Sequence, residues 1–183
     1  MGLRLSGIGP RCAFARRLDA YVPLDIDLTQ CVSPEDELFY WRSTDSKHLL
    51  EIKIAAKTGI LGGVSVVLVP QEWIRVDNLL RRDLDAEVRE GVPIFDLSPW
   101  RSRIGDRESW DSALGRIDES VPFLFLIGTD RITVQFGEAQ PALVIRNGDL
   151  EFIFTQQGEV CGVALAGVLP AEIHLLRKYS GAG

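Results

Sequence analysis

Proton transfer near neutral pH most often falls to histidine, and this chain of 183 residues offers two, His48 and His174. Neither lies in a motif that would give it a partner, so both read as surface residues. Ser65 lies in Gly63-Val64-Ser65-Val66-Val67. That run lacks the G-x-S-x-G spacing of a strand-to-helix nucleophile turn and reads as a strand with a solvated hydroxyl. A structural zinc site takes four Cys or His ligands, usually in close pairs. Cys12, Cys31 and Cys161 are far apart and the histidines are not paired, so the sequence implies no metal and no cofactor. Gly59, Gly62 and Gly63 lack a phosphate-loop spacing and precede a strand, which makes them hairpin glycines.

The carboxylates carry more information. Asp25 and Asp27 stand at i and i+2, which on a strand puts both on one face, with Leu24, Ile26 and Leu28 on the other. Paired acids at fixed separation can do acid–base work, but this alternation reads first as a solvated acidic side. The formal net charge is −6, and the window from Asp19 to Asp45 alone holds Asp19, Asp25, Asp27, Glu35, Asp36, Glu37 and Asp45 against Arg42. Seven acids and one base place the whole surplus there. Nucleic acid is a poor partner for such a surface, because phosphate binding needs clustered Lys and Arg. A basic protein partner fits better, since opposed potentials steer encounter. Tyr40 and Trp41 follow directly on the acids and read either as interface anchors or as core aromatics. The candidate partner-binding residues are therefore Asp25, Asp27, Glu35, Asp36, Glu37, Tyr40 and Trp41.

These residues must be positioned by strands. Leu50, Ile52 and Ile54 alternate with Glu51 and Lys53, a turn follows at Lys57-Thr58-Gly59, and Val64 to Val69 returns, which makes a hairpin. The pattern recurs a hundred residues later in Leu150-Glu151-Phe152-Ile153-Phe154, Gln156-Gln157-Gly158 and Val160 to Leu165. Two copies of one hairpin and two unrelated hairpins with the same grammar are both open readings. Leu80, Leu84 and Val88, with Asp77 before them and Gly91 and Pro93 after, predict an interior helix over Asp77 to Glu90. The polar stretch Ser98 to Ser120 reads as a long connection, either a functional loop or one hiding a short helix. Phe123 to Ile127, Ile132 to Phe136 and Leu143 to Ile145 read as strands, Asn147-Gly148 as a tight turn, and Pro170 to Lys178 as a short amphipathic helix. The expected class is α+β, built mainly on antiparallel sheet.

Composition and length fit one domain over residues 19–183, able to bury roughly 70% of its unfolded surface. Residues 1–18, with Arg4, Arg11, Arg16 and Arg17 broken by Gly7, Gly9 and Pro10, read as a leader of low order without a secretory h-region. The longest apolar run, Ile60 to Pro70, is about half a membrane span. An odd number of scattered cysteines reads as reduced thiols in a cytoplasmic protein, with Cys161 buried and inert.

The strand-turn-strand L-L-E-I-x-I-x-x-x-T-G-x-L at Leu49 to Leu61, the segment G-V-P-I-F-D-L-S-x-W at Gly91 to Trp100, and the closing hairpin and helix over Leu150 to Tyr179 together resemble small bacterial immunity-type proteins of polymorphic or contact-dependent toxin systems. The resemblance spans most of residues 49–179. It implies a cytoplasmic inhibitor that binds the C-terminal domain of a cognate toxin and needs no catalysis. The other classes are a small hydrolase using the acids with a recruited metal ion, and a ligand-binding β-module covered by the Ser98 to Ser120 loop.

Overall fold

The computed structural model describes residues 2–77, 85–100 and 115–179. Fifteen strands among them form two large sheets and one ribbon. The six-stranded sheet runs in the order β10 (Arg116–Glu119), β4 (Leu38–Thr44), β5 (Leu49–Ala55), β6 (Leu61–Leu68), β3 (Leu24–Asp27) and β2 (Ala15–Arg17). The seven-stranded sheet runs β7 (Ile74–Val76), β11 (Phe123–Ile127), β12 (Ile132–Phe136), β15 (Val160–Leu165), β14 (Leu150–Phe154), β13 (Leu143–Asn147) and β8 (Glu87–Glu90). The ribbon pairs β1 (Leu5–Gly9) with β9 (Val92–Phe95). One α-helix among the described residues, α1 (Pro170–Tyr179), closes the chain. The protein is thus mostly β with a short C-terminal helix, which fits α+β broadly.

The sheets face each other because each alternates. In β4, Phe39, Trp41 and Ser43 point inward while Tyr40 and Arg42 point out. In β5, Leu50, Ile52 and Ile54 point inward. They meet Phe125, Val134, Phe136, Phe152 and Val163 of the seven-stranded sheet in one continuous core, where Trp41 and Phe136 touch edge to face at 6.4 Å. Ile173 and Leu176 of α1 join the same core.

The recurrence seen in the hairpins extends to five strands. The orders β2-β3-β6-β5-β4 and β11-β12-β15-β14-β13 are the same path, with a parallel edge strand added to the last member of each, β10 on β4 and β8 on β13. The register breaks fall at matching places, Lys53/Ile54 and Ile153/Phe154. Gly59 and Gly158 turn the two hairpins at φ +76° and +75°, a conformation glycine adopts without steric cost. Their carbonyls accept from Phe95 N and Leu5 N, each at 2.8 Å, and Leu5 and Phe95 are themselves paired in the ribbon. The ribbon therefore lies on a pseudo-twofold relation between the halves. A matching pair of buried side chains locks each half to the other. Ser43 Oγ accepts from Val121 N at 3.2 Å and donates to Val121 O. Asn147 Oδ1 accepts from Cys12 N at 3.1 Å, and its Nδ2 donates to Cys12 O at 2.9 Å.

Three expectations change. Residues 1–18, read as a leader, carry β1 and β2, and Leu3 is fully buried; alternation in segments this short was hidden among the arginines. The interior helix expected over Asp77 to Glu90 is not shown. Residues 78–84 lie outside the described residues, and Glu87–Glu90 is an exposed strand lying parallel to β13. Its backbone groups find partners on that sheet edge, and tertiary pairing outweighs a helical period carried by three apolar residues. Gly91 stops this strand because its φ is +141° and a Cβ there would lie 2.3 Å from Gly9 O. Of the long connection Ser98 to Ser120, Ser98–Trp100 is a 3-10 turn with Trp100 buried against Phe39, and Arg116–Glu119 is a strand. Residues 101–114, including Trp110, lie outside the described residues.

Cys12 and Cys31, expected as free thiols, are joined in a disulfide with Cα atoms 5.9 Å apart. Nineteen residues of separation gave no sequence signal; the β2–β3 hairpin brings them together. Closing a loop of this length stabilises a fold by about 3 kcal/mol. Reduction, or the Cys12→Ser/Cys31→Ser pair, is expected to lower the urea midpoint accordingly, while an unchanged midpoint would mean that the thiols are not bonded in solution. Cys161 is buried as expected, and desolvation pushes its thiol up to about 11.

Candidate binding face

The outer side of the six-stranded sheet is polar and open. Strand register aligns its side chains in two rows. The first runs Asp118, Arg42, Glu51, Ser65, Asp25, Arg17. The second runs Arg116, Tyr40, Lys53, Gly63, Asp27, Ala15. Asp118, Glu51, Asp25 and Asp27 are matched in number by Arg42, Arg116, Lys53 and Arg17, so the sheet face is a charge-alternating ladder and not a uniformly acidic surface. Arg42 grips Asp118 with two bonds, Nε to Oδ1 at 2.7 Å and Nη2 to Oδ2 at 2.8 Å, and its Nη1 stands 3.8 Å from Glu51 Oε1. Tyr40, Arg42, Glu51 and Arg116 line a recess of about 280 Å³.

The corresponding outer face of the seven-stranded sheet is divided between the charged row Glu90, Arg146 and Glu151 and a buried apolar patch. Val144, Ile153, Cys161 and Ala164 form a separate cluster there. Where β4 and β5 have Tyr40 and Lys53, β13 and β14 have Val144 and Ile153.

The candidate contact residues divide into two groups. Asp25 and Asp27 lie side by side on the open face. Asp25 accepts from Ser65 Oγ at 2.6 Å and has Lys53 Nζ at 3.7 Å, so the Ser65 hydroxyl is bonded, not simply solvated. Asp27 is exposed and accepts from Thr29 N at 2.7 Å, and the Thr29 side chain and backbone hold its carboxyl below the usual range. Glu35 and Glu37 are exposed in the segment leading into β4, and Tyr40 faces the recess. Asp36 turns inward and accepts from Lys57 N, Thr58 N and Thr58 Oγ1, fixing the β5–β6 turn. Trp41 is fully buried. It anchors the core, one residue away from the exposed Tyr40 side because strand side chains alternate.

Sequence reading missed His48, which is buried and not on the surface. Its Nε2 lies 2.9 Å from Ser43 Oγ, its Nδ1 lies 2.9 Å from Asp45 Oδ1, and its ring packs on Trp73 and Phe123. Serine, histidine and aspartate in this order suggest a hydrolytic triad, but the geometry is that of a lock. Ser43 is 0% exposed. Its hydroxyl bonds the Val121 backbone as well as His48 Nε2, which ties it to structure inside the core. The Nδ1 contact with Asp45 is within ion-pair range but off the line of a hydrogen bond. Asp45 Oδ1 instead accepts from Lys47 N and His48 N in the hairpin turn. The sequence signal was Asp45-Ser46-Lys47-His48, an Asx turn that folds histidine back over its own strand. His174 is exposed on α1.

Hydrogen bonding by Arg42 lowers the Asp118 carboxyl below its ordinary value. A lowered folded-state pKa contributes stability that is present above the unfolded value of about 3.9 and is lost as pH falls through the folded value. Asp118 is therefore expected to remain ionised at pH values where a free aspartate is protonated. A carboxyl-carbon NMR titration midpoint at the ordinary aspartate value would refute this.

No helix among the described residues is long and apolar enough to cross a membrane, and no three His, Cys, Asp or Glu side chains among them gather as metal ligands. No protein-family model matches the chain, and no curated protein matches its sequence.

Proposed function

We propose that this chain is an immunity-type binding protein of the bacterial cytoplasm that neutralises a cognate toxin domain by docking it on the open face of the six-stranded sheet. Asp25, Asp27, Glu35, Glu37 and Tyr40 would make the contact, while Asp36 and Trp41 hold the face in shape. The observation that supports this reading is the contrast between the two outer faces: one carries a buried apolar cluster beside its charged row, the other is polar across both rows and open. Six strands of three to eight residues, about five to six on average, at about 4.8 Å spacing and about 3.3 Å per residue, give a face of roughly 500 Å². The exposed segment around Glu35 and Glu37 extends it toward the roughly 800 Å² per partner of a stable complex. Alternating charges favour specificity, because a wrong partner leaves like charges juxtaposed.

Capture of the adjacent reading frame's product by the full chain, followed by the Asp25→Lys/Asp27→Lys variant, tests the proposal. Reversal at two contact sites is expected to weaken capture at least about a hundredfold with the fold unchanged by circular dichroism. Undiminished capture would move the interface elsewhere, and no capture at all would remove the inhibitor reading. The disulfide bears on location, because such bonds persist in oxidising compartments and are rare in the cytosol: thiol trapping that finds Cys12 and Cys31 bonded in the cell would overturn the cytoplasmic part of the proposal.

A further inference from the structure

The pseudo-twofold relation places two charged ladders in matching positions, one complete and one a member short. In the seven-stranded sheet the ladder has five alternating charges among the described residues. Arg11 Nη1 lies 3.5 Å from Glu90, Glu90 pairs in register with Arg146, Arg146 Nε bonds Glu151 Oε1 at 3.0 Å, and Arg131 Nη2 bonds Glu151 Oε2 at 2.7 Å. In the six-stranded sheet the same registers hold Asp118, Arg42 and Glu51, and Arg116, two residues before Asp118 on its own strand, takes the outer place that Arg11 takes from another segment. Arg116 Nε lies 3.6 Å from Asp118, Asp118 is gripped by Arg42, and Arg42 reaches Glu51 at 3.8 Å. The fifth charge is missing. Thr133 and Ala164 beside Glu151 correspond to Asp25 and Ser65 beside Glu51. Two residues before Thr133 stands Arg131, whereas two residues before Asp25 stands Pro23. Among the described residues, Arg42 is the one cation within 4 Å of Glu51, and Glu51 lines the open recess with Tyr40.

We propose that the recess at Tyr40, Arg42, Glu51 and Arg116 receives the guanidinium of an arginine presented by the partner, which completes on Glu51 the ladder that Arg131 completes on Glu151. The chain itself supplies the template, since the filled copy shows a guanidinium bonding a glutamate that Arg146 already holds. Arginine suits the place better than lysine. Its fork bonds a carboxylate with two parallel donors and its plane stacks on a tyrosine ring, while an ammonium is a strongly hydrated point charge. The inference rests on the open face being the docking surface and names the chemical group that this surface selects.

The test titrates the isotope-labelled full chain with N-acetyl-arginine amide and, separately, with N-acetyl-lysine amide, following backbone amide shifts. Saturable shifts confined to Tyr40, Arg42, Glu51 and Arg116 are expected with the arginine probe, with the lysine probe at least about fivefold weaker. Glu51→Gln, close in shape and on an open face, is expected to weaken the arginine probe at least about tenfold while leaving the rest of the spectrum in place. Tyr40→Ala, a second variant that does not touch the carboxylate, should narrow the gap between the two probes. Shifts that do not saturate, that spread over the surface, or that survive Glu51→Gln would overturn the proposal. If the adjacent-frame product is captured but arginine amide neither binds nor competes, the docking face stands and the recess assignment falls. If arginine amide binds at Glu51 and no protein is captured, the recess assignment stands and the inhibitor reading falls.

Discussion

Arg131→Ala is expected to lower the unfolding free energy by about 3–5 kcal/mol, the loss that follows when one partner of a buried ion pair is removed and the other charge is left behind. Glu151 is 0% exposed and Arg131 covers one of its two carboxylate oxygens at 2.7 Å. Arg146 holds the other, and losing the Arg131 guanidinium removes a donor and a countercharge from a carboxylate that water does not reach. The exposed copy of the ladder provides the control. Arg42→Ala removes a comparable grip from Asp118, whose side chain remains well exposed; water replaces the bond, and the expected loss is about 1 kcal/mol or less. Urea unfolding with an unchanged slope measures both variants. Equal losses for the two would mean that burial does not distinguish the ladders.

Trp41→Ala is expected to cost about 3–5 kcal/mol, as for other large aromatic side chains removed from a close-packed core. The indole is fully enclosed and touches Phe136 across the sandwich, so its removal separates the sheets where they meet. Trp41→Phe should cost much less, because Nε1 has no hydrogen-bond partner among the described residues and a smaller ring surrenders no polar contact. Tyr40→Ala, one residue away on the open side, is expected to leave stability within about 0.5 kcal/mol. Thermal or urea denaturation of the three variants decides the matter. A destabilised Tyr40→Ala beside a tolerated Trp41→Ala would reverse the assignment of faces.

The strands that shape the face were legible because a two-residue period is visible over five or more residues. Leu49 to Ile54, Phe123 to Ile127 and Leu150 to Phe154 all form where that period places them, and Pro170 starts the closing helix. Shorter strands were not legible. Ala15–Arg17 and Glu87–Glu90 are each stabilised by the edge they join, and local sequence holds no record of that edge. The acidic window was visible as a count of charges, but its division was not. Asp36 went to a turn, Asp25 to Ser65 and Lys53, and Asp27, Glu35 and Glu37 remained outward.

By itself the sequence determined a hairpin-built β protein, the alternation that puts Asp25 and Asp27 on one side of a strand, and the inert buried thiol of Cys161, all of which depend on spacing along the chain. Tertiary structure alone decided which outer face stays open, that Cys12 meets Cys31, that His48 is enclosed with Ser43, and that one charged ladder is complete while its counterpart ends at Glu51. Cys12 and Cys31 stand 19 positions apart and Arg42 and Asp118 76, and the rest depends on the environment a side chain enters. Register between distant strands, which a linear pattern does not encode, sets both.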